Sequence, residues 1–146
     1  MSRPVVLLLS GPNLNLLGER QPLVYGPATL ADHVAAATEA ADAAGLDLEH
    51  VQSNAEAPLV DAVHGARGRC AAIVVNAAAL THYGWSLADA LATFDGPVVE
   101  VHLSNPYARE PWRHTSVVTP VATGSIAGFG GHGYVLAVEA VRRLLA

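Results

Sequence analysis

Short apolar runs set at intervals along the chain constrain its fold more than any other feature. Val5-Val6-Leu7-Leu8-Leu9 is apolar at consecutive positions and ends at Ser10-Gly11-Pro12. Such a strand has no face suited to water, so it belongs in a sheet covered on both sides. Residues 46–53, 71–75 and 98–103 read as further strands, and 117–121 as a short fifth one despite Pro120. Between them the spacing turns helical. Thr29 caps a helix running to about Gly45, with Leu30, Val34, Ala37 and Ala41 on one face. Residues 58–66 form a short helix with Pro58 early in its first turn. Residues 85–94 carry Leu87, Leu91 and Phe94 at helical spacing, and 131–145 form a last helix with Val135, Val138, Val141 and Leu145 inward. Strands alternating with helices predict a parallel sheet between two helix layers. Five such units in 146 residues predict an α/β, flavodoxin-like three-layer sandwich with a five-stranded parallel sheet, as one domain over 1–146.

Composition removes several functions. Hydrophobic residues make up 51% of the chain, which excludes disorder. Charged residues are only 14%, which points to surface buried in a homo-oligomer. Net charge is −5 and no basic stripe is visible, so no nucleic-acid partner is expected. All 8 basic residues are Arg. Without Lys there is no Schiff base and no phosphate-loop Lys. The single Cys70, beside Ala71-Ala72-Ile73, reads as a small buried hydrophobe. No run is long enough to span a membrane, and Met1-Ser2-Arg3-Pro4 does not open a signal peptide, so a cytoplasmic protein is expected. His33, His50, His64, His114 and His132 have no metal-ligand spacing and are expected in surface or capping roles, with no metal bound. The glycine-rich stretch 128–133 reads as close backbone packing at a helix start.

Polar residues collect where the strands end. Asn13 and Asn15 follow the first strand, Gln52-Ser53-Asn54 the second and Asn76 the third, and the fourth carries Glu100 and His102 before Ser104-Asn105. Ligands of open parallel sheets bind beyond these carboxyl ends. Glu100 and His102 share a strand face. They are either a structural hydrogen-bonded pair or an oriented imidazole with a proton to give. His82 and Asp89 are seven apart across a helix start, two turns on one face, with Trp85 between them as packing. His82 is expected to point into the site, and Asp89 toward solvent or a neighbouring subunit. Two long segments, 11–27 and 104–115, hold Arg20, Tyr25, Arg109 and Arg113. Either these are solvated side chains, or Arg groups support a tyrosinate in a lid. A free phenol ionises near ~10, so a tyrosinate at neutral pH costs roughly 4 kcal/mol, which one or two close Arg groups in a dry site supply. Arg109 and Arg113, four apart, share a face if their loop is helical.

Together the motifs resemble type II 3-dehydroquinate dehydratase. They are Gly11-Pro12-Asn13-Leu14-Asn15-Leu16-Leu17-Gly18, the segment from Arg20 to Gly26, Gln52-Ser53-Asn54, Thr81-His82, Asp89-Ala90-Leu91, Glu100-Val101-His102-Leu103-Ser104-Asn105, Ala108-Arg109-Glu110 and Arg113-His114-Thr115-Ser116. The resemblance implies cofactor-free anti dehydration of 3-dehydroquinate through an enolate, in a dodecamer built from trimers. It implies Tyr25 as a tyrosinate base activated by Arg20 and Arg109, and Asn13 holding a water that stabilises the enolate. His102, oriented by Glu100, is then the general acid. Leu103 and Ser104 would bind the substrate carboxylate, and Asn76, His82 and Arg113 the ring hydroxyls. Asp89 would reach a neighbouring subunit's site. The chain departs from the usual pattern at Gln21, Ala55, Ala57, 76–79 and Tyr83-Gly84-Trp85. Of these, Tyr83 and Trp85 bear on substrate fit and on the trimer contact. The rival readings are a flavodoxin-like module that binds a small molecule without catalysis, and a silent homologue.

Overall fold

The computed structural model describes residues 2–146; Met1, which opens the stretch expected not to be a signal peptide, lies outside the described residues. Five strands run parallel in the order β2-β1-β3-β4-β5. They are β1 (Val5–Ser10), β2 (Asp47–Gln52), β3 (Ala72–Asn76), β4 (Val98–His102) and β5 (Gly124–Ala127). The helices are α1 (Pro22–Tyr25), α2 (Leu30–Ala43), α3 (Glu56–Ala66), α4 (Trp85–Ala92) and α5 (His132–Leu145). This is the flavodoxin-like order, with its switch point between β1 and β3.

Alternation along each strand divides the core in two. Val6, Leu8, Val74 and Val101 pack with α2 and α5 on one face, whereas Leu7, Leu9, Ile73 and Val75 pack with α3 and α4 on the other. Helix α2 starts in a capping box. Thr29 Oγ1 accepts from Asp32 N (3.2 Å), and Asp32 Oδ2 accepts from Thr29 N (2.9 Å). Helix α4 has no side-chain cap of its own; Glu56 Oε2, from α3, accepts from Leu87 N at 2.8 Å. Among the described residues no helix is long and apolar enough to cross a membrane.

Several expectations are corrected. The fifth strand is not 117–121: β5 lies at Gly124–Ala127, paired with β4 from Val99 to His102. Pro120 has no N–H to give a ladder, and Thr119–Val121 forms a 3-10 turn instead. The apolar signal there was burial without a strand, since Val118 is fully buried against the α3–α4 side. The inward face of α5 includes Tyr134 and Ala137, whereas Val135 is only half-buried. His33 and His50 are not surface groups: His33 is buried, and the half-buried His50 shares a hydrogen bond with Ser10 Oγ (2.8 Å). A Cβ on Gly131 would run into the His33 ring, so the glycine stretch does serve close packing where α2 meets α5. Trp85 is exposed rather than packed.

Candidate active site

The chain beyond β1 is fixed before it reaches the cleft. Gly11 N donates to Asn76 O (2.8 Å), which ties the chain just beyond β1 to the last residue of β3. Asn13 then adopts a left-handed φ of 68°, and its N–H donates to Asn54 Oδ1 at 2.9 Å. Gln52 Nε2 donates both to that oxygen (3.1 Å) and to Gly11 O (3.2 Å). The polar end of β2 therefore braces the Asn13 turn and stays out of the cleft. Asn15 is exposed in the adjoining 3-10 turn Leu14–Leu16 and does not line the cleft either.

Both long segments fold into short helical turns. Segment 11–27 contains that 3-10 turn and α1, whose last residue is Tyr25. Segment 104–115 contains the 3-10 turns Pro106–Ala108 and Pro111–His114. Arg109 and Arg113 thus lie on separate turns, not on one helix face, yet both line the same cleft of about 150 Å³. Pro22, Pro106 and Pro111 stand first in α1 and in the two turns of segment 104–115, where a fixed φ favours the turn.

Asn76 is buried at the cleft floor. Its Nδ2 donates to Tyr134 OH (2.9 Å), and its Oδ1 accepts from Ala78 N (3.2 Å). One N–H and one lone pair of the amide remain for a ligand. Burial pushes the Tyr134 phenol up to about 12, so it is a neutral partner.

The Glu100–His102 pair forms as the strand spacing predicts, with His102 Nε2 and Glu100 Oε2 2.7 Å apart. Glu100 is only 2% exposed. Ser116 Oγ donates to Oε2 at 2.8 Å and Thr119 Oγ1 to Oε1 at 2.6 Å. Burial alone would raise the proton affinity of this carboxyl. The hydrogen bonds from His102, Thr119 and Ser116 and the His102 charge outweigh it, and Glu100 sits below the usual carboxylate range.

Tyr25 faces the cleft from α1. Arg109 Nη1 donates to its OH (2.9 Å) and to Ser104 Oγ (3.2 Å). Arg20 stands over the Tyr25 ring, with Cζ 5.1 Å from the centroid, so it acts through its charge on the ring face and not by a hydrogen bond to the OH. In the same cleft His82 Nδ1–H donates to Thr115 O (2.7 Å), leaving Nε2 as the acceptor nitrogen. Burial, only partly opposed by the Thr115 carbonyl, keeps this imidazole below its ordinary value and hence neutral. Trp112, which sequence reasoning passed over, meets His82 edge-on at 5.3 Å and supports Arg113 at 4.0 Å from its ring.

Of the expected site residues, Asn13, Arg20, Tyr25, Asn76, His82, His102, Leu103, Ser104, Arg109 and Arg113 all line this cleft, with Glu100 directly behind His102. Asp89 does not join them; it is exposed on α4. His82 and Asp89 share no helix face, because His82 ends the 3-10 turn Ala78–His82 and α4 begins only at Trp85. Sequence reasoning missed Tyr134, Ser116 and Thr119. Ser116 stands inside a quoted motif, but nothing local shows that its hydroxyl reaches Glu100. Among the described residues, three Arg side chains and no carboxylate line the cleft, which suits it to a small anion.

Comparison with known proteins agrees with this geometry. A family model described as dehydroquinase class II matches residues 4–142. The chain is 49% identical over 143 residues to 3-dehydroquinate dehydratase 2 of Pseudomonas putida, covering 98% of this chain and 96% of that one. It is 54% identical over 142 residues to the 3-dehydroquinate dehydratase of a Shewanella species, covering 97% of each. The crystal structure of type II dehydroquinase from Butyrivibrio crossotus superposes with a TM-score of 0.93 at 36% identity, covering 97% of this chain and 99% of that one. The one from Propionibacterium acnes gives 0.91 at 42% identity, covering 95% and 96%. With the sheet order, the cleft and these likenesses in agreement, the chain belongs to the dehydroquinase class II family.

Proposed function

We propose that this chain, folded as a single domain, dehydrates 3-dehydroquinate to 3-dehydroshikimate with no metal or organic cofactor. The observation that carries the reading is one cleft with two differently supported proton-transfer groups: Tyr25 OH against Arg109 (2.9 Å) and His102 against Glu100 (2.7 Å). Tyr25, as phenolate, takes the proton from the carbon beside the ketone. The C–H electron pair becomes an enolate, whose oxygen a water held on Asn13 stabilises. When the carbonyl re-forms, the new C=C bond expels the β-hydroxyl on the opposite face, an anti elimination. That hydroxyl leaves as water with the His102 proton. Return of the proton from Tyr25 to His102 through solvent resets both groups.

The Arg20 and Arg109 guanidiniums flank Tyr25, one over its ring and one on its OH. Arg109 also holds Ser104 Oγ, so it couples the base to the place where Ser104 and the Leu103 backbone receive the substrate carboxylate. Asn76, His82 and Arg113 take the ring hydroxyls, His82 accepting at Nε2. Asp89, exposed on α4, serves the neighbouring subunit of a dodecamer built from trimers. The enzyme works in the cytoplasm, in the shikimate route or in quinate breakdown.

The test is direct. Purified protein with 3-dehydroquinate and a chelator is followed by the ultraviolet absorbance of the conjugated enone. Absorbance is expected to rise, and Tyr25→Phe and His102→Ala to slow it by at least about 100-fold. Near-normal turnover in Tyr25→Phe refutes the base assignment.

A further inference from the structure

We propose that Ser116 and Thr119 are positioning residues for the His102 proton transfer, acting through Glu100, whose orientation they fix; this rests on the reading of His102 as the general acid. Glu100 lies in β4 between β3 and β5, and no Arg is paired with it among the described residues. Its negative charge is shared by two hydroxyls and one imidazole. The hydroxyl directions follow from counting. Ser116 Oγ accepts from Val118 N (3.1 Å) and Thr119 N (3.0 Å), so its lone pairs are used and its proton goes to Glu100 Oε2. Thr119 Oγ1 gives its proton to Oε1.

With both hydroxyls donating to it and its proton affinity held below the usual carboxylate range, Glu100 is ionised and has no proton of its own to give. His102 must therefore donate to it through Nε2–H, and Nδ1 is left to face the cleft. The structure thus assigns Nδ1 as the nitrogen that carries the transferred proton. Freed from one hydroxyl, Oε1 or Oε2 would take up a proton more readily or let the carboxylate rotate, and His102 would lose its fixed direction. Neither Ser116 nor Thr119 lines the substrate cleft; both line a small recess behind His102. The other charged or titratable groups bordering the pair are His82, Arg113, Tyr107 and His114.

The experiment compares the full-length protein with Thr119→Val, Thr119→Ser and Ser116→Ala. Valine keeps the volume and removes only the hydroxyl. With 3-dehydroquinate, Thr119→Val is expected to lower kcat by about tenfold with KM within about twofold. The pH profile of its kcat should change as well, because the carboxylate that directs His102 has lost one of its two hydroxyl donors. Thr119→Ser should restore both. Unchanged kcat and pH profile in Thr119→Val overturn the proposal, as does a loss of activity that Thr119→Ser does not restore. Ser116→Ala also removes the acceptor of two N–H groups, so its unfolding midpoint is measured alongside. A second readout does not need turnover. The downfield proton NMR signal of His102 Nε2–H, identified by its absence in His102→Ala, should shift in Thr119→Val, and an unmoved signal refutes the coupling. If the unaltered protein leaves 3-dehydroquinate untouched, the proposed activity falls, and the NMR signal alone still decides the role of Thr119.

Discussion

Replacing Gly11 by Ala tests whether the junction between β1 and β3 is as closed as the structure has it. A Cβ at position 11 would overlap the Ala77 carbonyl, lying 2.6 Å from its carbon, while Gly11 N is already bonded to Asn76 O at 2.8 Å. The obstacle is main chain, so no side-chain rotation relieves it. Forcing a methyl group into packed structure costs about 1–3 kcal/mol, and a backbone neighbour puts this site at about 3. At about 2–4 °C per kcal/mol for a chain of this size, the unfolding midpoint should fall by about 6–12 °C. Function should suffer too, because Asn13 follows two residues later and Asn76 precedes Ala77. A displacement approaching 1 Å at such groups costs up to about 100-fold in rate, so kcat/KM should drop by at least about tenfold. Thermal unfolding by circular dichroism and the enone assay read both. Gly65→Ala is the control: a Cβ there meets nothing within 4 Å in α3, and the helix should gain about 0.5–1 kcal/mol. A Gly11→Ala protein melting within about 1 °C of the parent with unchanged kcat/KM would refute the argument.

Two further outcomes are expected. Burial holds His33, His50 and His82 below their ordinary value of 6.5, so between the folded and unfolded values the unfolded chain binds more protons. The stability they confer is complete above about pH 6.5 and is lost as pH falls through their folded values. Urea unfolding should therefore show a lower midpoint at about pH 5.5 than at about pH 7.5, and an equal or higher one contradicts the burial argument. Tyr134→Phe removes the acceptor of Asn76 Nδ2 (2.9 Å). It should cost about 1–3 kcal/mol in thermal unfolding and raise KM, and an unchanged melting midpoint and KM would show that the phenol does not hold Asn76.

Legibility in the sequence followed the range of the interaction. Burial on both faces is written into consecutive residues such as Val5 to Leu9, and the N-cap of α2 into Thr29. Strand ends mark the site, and Asn13, Asn76, His102 and Ser104 duly meet there. The fifth strand misled because Val117, Val118 and Val121 carry an apolar signal while Gly124–Ala127 is exposed or half-buried at the sheet edge. Burial and strand formation are separate properties, and Pro120 parts them here. The supporting shell was invisible for another reason. Thr119 and Glu100 are 19 residues apart, and Asn76 and Tyr134 are 58 apart. No periodicity relates such partners; only the folded sheet brings them together.

The Asn76–Tyr134 hydrogen bond also bears on when the cleft comes into being. A nascent chain leaves the ribosome N-terminus first. Both groups proposed to transfer protons, Tyr25 and His102, are synthesised before the segment that becomes α5. Until that helix docks, Asn76 has no phenol to hold its amide, and the His33 face of α2 has no Gly131 to lie against. A partly translated chain could carry the complete set of reacting groups and still lack a finished cleft. Completion of this cleft thus waits on the segment of the chain that is made last.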